Sequence, residues 1–234
     1  MSSRSISTDK LRALLDAIQK DHPRWDGFSQ SLADIFKEGR IDPTVTYASH
    51  YSHKTPLLVI SYTWRQTSLR RLADICDGTD DDGCDICGVP LHLGKTTWID
   101  VLFTPQFDLD ATQENSEKIV AITADRYGAA IEHLVVLVDV FLTRAWCLAE
   151  LAVTTSTPGI RILVVGDWDA VAAWLAGAGG SFYALMEAGR PGDVALVREF
   201  AVARFGSAAA FDAAYGLLDL IGEFSLNLPL AISP

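Results

Sequence analysis

Three short runs of branched apolar residues, LLVISY (57–62), LVVLVDV (134–140) and IRILVV (160–165), constrain this chain more than any other feature. Each is apolar at consecutive rather than alternating positions, the pattern of a strand buried on both faces. Helical stretches lie between them: TSLRRLADIC, QENSEKIVAITADRYGAAIEHL (113–134) and TRAWCLAELAVTT. A further strand is expected over TTWIDVLF (96–103). Apolar strands separated by helices imply a parallel sheet covered on both sides, hence a doubly wound three-layer α/β domain.

The flanks read as helices. Residues 7–21, STDKLRALLDAIQKD, open with Ser and Thr caps and put Leu11, Leu14, Leu15 and Ile18 on one face. SQSLADIFKEG reads as a second helix, and IDPTVTYASHYSHKTP as a polar connector. The expectation is an N-terminal helical extension over 1–55 and an α/β domain over 56–234. That domain would carry C-terminal helical pieces, DAVAAWLAGA, SFYALMEAG, DVALVREFAVARFG and SAAAFDAAYGLLDLIGEF, packed on the sheet or on each other.

Charge and cysteines narrow the partners. A formal net charge of −11 makes a nucleic-acid backbone an unsuitable partner, since phosphate binding needs concentrated Lys and Arg. No apolar run is long enough to cross a bilayer and MSSRSISTDK lacks a secretory core, so a cytoplasmic protein without membrane contact is expected. Cys76, Cys84, Cys87 and Cys147 include one C-x-x-C pair, in CDICG after the acidic run DGTDDDGCD (77–85). With only Cys76 and His92 nearby and no second paired motif, this reads as a loop with free or redox-linked thiols, and no metal site is assigned.

Ligands of an open parallel sheet bind in the crevice beyond the carboxyl ends of its strands. The segments reaching that edge are SYTWRQ, DVLFTPQFD, DVFLTRAW and GDW. In the helix from Thr143, Glu150 follows Trp146 by four residues and shares its face, while Cys147, Leu148, Leu151 and Ala152 form the sheet-facing stripe. Glu150 is therefore expected at the rim of the core, partly desolvated beside an indole. The spacing equally allows a solvated helix residue paired with an arginine. Tyr62, Trp64 and Arg65 are candidates to line the crevice, Trp64 by stacking and Arg65 by meeting phosphate, although a strand-end aromatic is as readily core. Asp100 is a candidate to hydrogen-bond a ribose or to hold a loop. Arg144 is a candidate to hold phosphate or to pair with Asp139.

TRAWCLAEL resembles the SRWCLDEL-type segment of TIR (Toll/interleukin-1 receptor) domains, with its W-x-x-x-E pattern at Trp146 to Glu150. LLVISYTWR is similar to the first TIR strand and its loop, TTWID to the segment read FID in plant TIR domains, and LVVLVDVFLTRAW to IVVFSxxYxxSRW. SYTW with WIDVLFTPQ also resembles the heterokaryon-incompatibility (HET) domain, whose motifs read roughly SYCWG and WIDALCINQ. The resemblance covers about residues 57–166. The chain departs from it where TWRQT replaces the RGED-like run of plant TIRs, and in the insertion at 77–92.

The resemblance implies a flavodoxin-like fold and, as in enzymatic members, cleavage of the nicotinamide–ribose bond of NAD in immune or cell-death signalling, with Glu150 catalytic. It implies NAD as substrate with no separate cofactor, and homo-oligomers through TIR-like contacts. A lone carboxylate suits this chemistry. An ordinary glycosidase needs a second carboxyl to protonate its leaving group. Nicotinamide leaves a cationic pyridinium as a neutral base, so one anion that stabilises charge developing on the sugar suffices. Two alternatives remain open: a non-enzymatic TIR- or HET-like self-association module, and a nucleoside deoxyribosyltransferase-like enzyme.

Overall fold

The computed structural model describes residues 5–52, 54, 56–77, 96–103, 121, 124–137, 141–166, 181–189 and 191–215. Among these, the chain is a mixed α/β structure around a five-stranded, mostly parallel sheet. Its strands are β1 (Ile6–Ser7), β2 (Leu58–Ser61), β3 (Thr96–Trp98), β4 (Glu132–Leu137) and β5 (Arg161–Gly166). They lie in the order β1-β3-β2-β4-β5. Only β1 runs antiparallel, pairing Ile6 with Thr97; β2 runs parallel to both β3 and β4, and β4 to β5. No helix of the described residues is long and apolar enough to cross a membrane.

The helices are α1 (Thr8–Asp21), α2 (Ser29–Gly39), α3 (Pro43–Thr46), α4 (Leu69–Asp77), α5 (Asp100–Phe103), α6 (124–129), α7 (Ala145–Thr155), α8 (Phe182–Leu185), α9 (Pro191–Phe205) and α10 (Ala208–Tyr215). Strand side chains alternate between faces, and the alternation sorts the core. Leu58, Ile60, Leu134, Val136 and Val165 pack in one cluster with Leu11, Leu14, Leu15 and Ile18 of α1, Leu32 and Phe36 of α2, and Leu69, Leu72 and Ala73 of α4. On the other face, Val135 and Val164 pack with Leu148 and Leu151 of α7, Val197 and Ala201 of α9, and Phe211 of α10. Val59 joins Trp98, Tyr127 and Val153 in a third cluster.

The N-terminal segment is thus part of the main packing: β1 extends the sheet, and α1 and α2 share a core with β2. The helix expected over SQSLADIFKEG matches α2 end to end. The strand expected over TTWIDVLF ends at Trp98, and VLF belongs to α5. There Asp100 Oδ1 accepts from the Val101 N–H at 2.7 Å, and this local bond turns the chain into a helical turn. The strand expected at 134–140 begins two residues earlier, at Glu132. The CDICG motif, His92, Asp139 and the DAVAAWLAGA helix lie outside the described residues.

Candidate active site

Glu150 is inside the protein, not at its rim, with 8% of its surface exposed. The reason is the company α7 keeps. With the sheet on one side and α9 and α10 on the other, every residue from Cys147 to Thr154 is buried. A helix buried all round has no solvated stripe on which to put a carboxylate, and a buried carboxyl needs partners.

Glu150 finds them at the carboxyl end of β2. Ser61, the last residue of that strand, sets its Oγ 2.6 Å from Glu150 Oε2. The same Oγ lies 2.6 Å from Nε2 of His133 in β4, whose Nδ1 is 2.7 Å from Thr154 Oγ1. Register explains the meeting. Val59 sits opposite His133 and Ser61 opposite Val135, so Ser61 and His133 are diagonal neighbours on the α7 side of the sheet. Tyr127 of α6 closes the group: its hydroxyl donates to Ile60 O at 3.1 Å and lies 3.4 Å from Ser61 Oγ, and its ring meets His133 edge-on at 5.1 Å.

A second network adjoins the first. Asp100 Oδ1 accepts from the Tyr62 hydroxyl at 3.0 Å, and Oδ2 accepts from the Trp64 indole N–H at 2.8 Å. Ser29 of α2 bonds Tyr62 Oη at 2.7 Å, tying the N-terminal helices to the strand end. The Cys147 thiol donates to Tyr62 O at 3.5 Å.

Burial governs the proton affinities. It pushes the Glu150 carboxyl up to about 8, reinforced by the charge of Asp100 and opposed by hydrogen bonds from Ser61 and Tyr127. Burial likewise raises Asp100, against the bonds from Val101, Trp64 and Tyr62; the partial exposure of this residue tempers the effect. Tyr62, Tyr127 and Cys147 are held well above their ordinary values by burial, and the Glu150 charge adds to each. His133, enclosed by the uncharged Ser61, Thr154 and Tyr127, is pushed down to about 3 by burial. Near neutral pH Glu150 is therefore a carboxylic acid and His133 a neutral imidazole.

The structure brings Glu150, Tyr62, Trp64 and Asp100 to one end of β2. Trp146 is engaged elsewhere: its indole N–H donates to Asp193 at 3.1 Å, against α9. Arg144 occupies the N-cap position of α7 without a side-chain capping bond, flanked by backbone bonds between Ala145 and Glu187 and between Glu187 and Thr143. Arg65 is exposed in the turn after β2. Ser61, Tyr127, His133 and Thr154 were not singled out by sequence reasoning. The available signal was a polar residue within or beside an apolar strand run, Ser61 in LLVISY and His133 immediately before LVVLVDV. No family model, no curated protein and no solved structure matches the chain.

Proposed function

We propose that this chain is a TIR-like NAD glycohydrolase or cyclase of immune or cell-death signalling, with Glu150 as its catalytic carboxylate. The observation that carries the reading is the position of Glu150, at the carboxyl end of β2 with its charge poised by burial and by Asp100. Perturbed carboxyls at such sheet edges are candidates for chemistry. The parallel strands β3-β2-β4-β5 run in the order second, first, third, fourth, which suits a flavodoxin-like arrangement and puts the switch of winding direction between β2 and β4.

In the reaction, the bond from C1′ of the ribose to nicotinamide nitrogen breaks and its electron pair neutralises the pyridinium. Water, or the adenine ring in cyclisation, forms the new bond to C1′, and its proton passes to solvent. Glu150 must be ionised to stabilise the positive sugar, and a cationic pyridinium beside it offsets the desolvation that otherwise keeps it neutral. Tyr62, Trp64 and Asp100 would line the sugar side of the site, Arg65 and Arg144 are candidates to meet the diphosphate, and Asp139 is a candidate to pair with Arg144.

One observation favours a second reading, a non-enzymatic self-associating module: the Glu150 carboxyl is largely enclosed and already hydrogen-bonded. The deciding assay is nicotinamide release from NAD by purified protein and by Glu150→Gln, across pH and at concentrations that promote assembly. Turnover lost in the variant supports the enzyme. Silence from both, or equal rates, overturns it, and release from free deoxynucleosides would redirect it to the deoxyribosyltransferase class.

A further inference from the structure

Four hydrogen-bond links run in one buried line from Glu150 back to its own helix. Glu150 Oε2 and Ser61 Oγ form the first at 2.6 Å, and Ser61 Oγ and His133 Nε2 the second at 2.6 Å. His133 Nδ1 and Thr154 Oγ1 form the third at 2.7 Å, and Thr154 Oγ1 and Leu151 O the fourth at 2.9 Å. Tyr127 stands beside this line: its hydroxyl donates to Ile60 O, and where it turns to the Glu150 carboxylate instead the Glu150–Ser61 link still needs a proton of its own.

Each link needs one proton, and the inventory is countable. With Glu150 protonated and His133 neutral, the carboxyl, the two hydroxyls and the imidazole supply one proton each, enough for four links. They all then point one way: Glu150 to Ser61, Ser61 to Nε2, Nδ1–H to Thr154, Thr154 to Leu151 O. With Glu150 ionised only three protons remain. Ser61 must donate to the carboxylate, Nε2–H must donate to Ser61, and Thr154 must turn to donate to Nδ1. The vacated acceptor is Leu151 O, which keeps the Thr155 hydroxyl as a donor at 3.0 Å, so the reversal leaves no buried polar atom stranded.

We propose that Ser61, His133 and Thr154 form a hydrogen-bond relay whose direction follows the protonation of Glu150, with the His133 proton on Nδ1 when Glu150 is an acid and on Nε2 when it is a carboxylate. Ser61 and His133 are thereby positioning residues: in either state they present a matching donor or acceptor to the carboxyl and fix its orientation. The relay rests on geometry and proton count, and holds whatever reaction Glu150 serves. Among the described residues, the titratable groups facing Glu150 are Asp100 of α5, Tyr127 of α6, Tyr62 after β2 and Cys147 on α7, with Arg144 acting on Cys147 from the helix start. His133 faces the Tyr127 ring, Ser61 and Thr154.

The test is long-range proton–nitrogen NMR of the imidazoles in the histidine-labelled full chain, with the His133 signals identified by their loss in His133→Asn. The wild-type protein should show the Nδ1–H tautomer at pH 6 and the Nε2–H tautomer after Glu150 ionises, above about pH 8. In Glu150→Gln the side chain no longer titrates, so a single tautomer should persist across the titration. In Ser61→Ala the link is cut and the tautomer should stop responding to pH. One tautomer throughout the wild-type titration, an imidazolium near neutrality, or a swap that survives in Glu150→Gln would each overturn the relay. Since the wild-type titration needs no variant and no turnover, its outcome is independent of whether NAD is cleaved.

Discussion

Ser61 and Glu150 are 89 residues apart in sequence, yet their side-chain oxygens meet at 2.6 Å in the middle of the protein. The contact joins a strand end to a helix with almost no solvated face, and it makes the protonation state of one carboxyl a property of the whole fold.

That state should be visible in stability. Glu150 holds its proton to about pH 8 in the folded chain, against an ordinary value of 4.5. The folded state therefore binds more protons than the unfolded one in this window, so stability is lost as pH rises from about 4.5 to about 8. Glu150→Gln should remove this loss. The full displacement corresponds to about 5 kcal/mol as an upper bound, and relaxation around the site brings the expected gain at pH 9 to roughly 2–3 kcal/mol. Denaturant midpoints of both proteins at pH 5 and pH 9 check it.

His133 gives the opposite limb. Its folded-state value of about 3 lies below the ordinary 6.5, so the contribution of the neutral ring is present above 6.5 and is lost as pH falls toward 3. Acid unfolding should therefore include a proton uptake that is absent from His133→Asn, measured as a shallower pH slope of stability in that variant between pH 6 and pH 4.

If Glu150 acts as an anion, kcat/KM for NAD should rise with pH through about 8, because that ratio reports the free enzyme. Removing the carboxylate should lower kcat by roughly 10²–10³-fold, the scale of one preorganised electrostatic group. A profile that falls across the same range would exclude the carboxylate from the chemical step.

Asp100 is held by three donors, from Tyr62, Trp64 and Val101. Asp100→Ala takes the acceptor from the Trp64 indole N–H and leaves the Tyr62 hydroxyl with Ser29 alone, and should cost roughly 1–3 kcal/mol. Asp100→Asn keeps part of the network and removes the charge that helps raise Glu150, so the Glu150 inflection should move to lower pH. A carbon-detected carboxyl titration reads the shift, and an unchanged inflection would show that burial alone sets it.

Trp25 is 4% exposed, and its indole N–H donates to Phe28 O at 2.8 Å. It packs in the cluster that includes Leu58 and Ile60. Trp25→Ala should cost roughly 3–5 kcal/mol and destabilise the sheet as a unit, seen as a single, earlier thermal transition. Two separated transitions would mean that the N-terminal helices fold on their own.

The sheet and most helices were legible because their signals are local: unbroken branched apolar runs for β2, β4 and β5, and apolar residues at helical spacing for α1 and α2. Other features depend on tertiary surroundings. Two residues are too few to mark β1, and VLF after Trp98 suits strand or helix until Asp100 caps its own turn. Glu150 was legible as a residue of interest but not as a buried one, because a helical wheel assumes one face in water and α7 has none. His133 escaped notice because its role comes from register with Ser61, and register is set between strands.

The pairing of β1 with β3 has a consequence for synthesis. Ile6 and Ser7 leave the ribosome roughly ninety residues before Thr97 and Thr96, the partners that fix them. Leu11, Leu14, Leu15 and Ile18 likewise emerge well before Leu58 and Ile60. The nascent chain must carry this oily surface uncovered while the strands that will shelter it are still being made. The interval between translation of Asp21 and of Trp98 is when a chaperone would matter most to this protein.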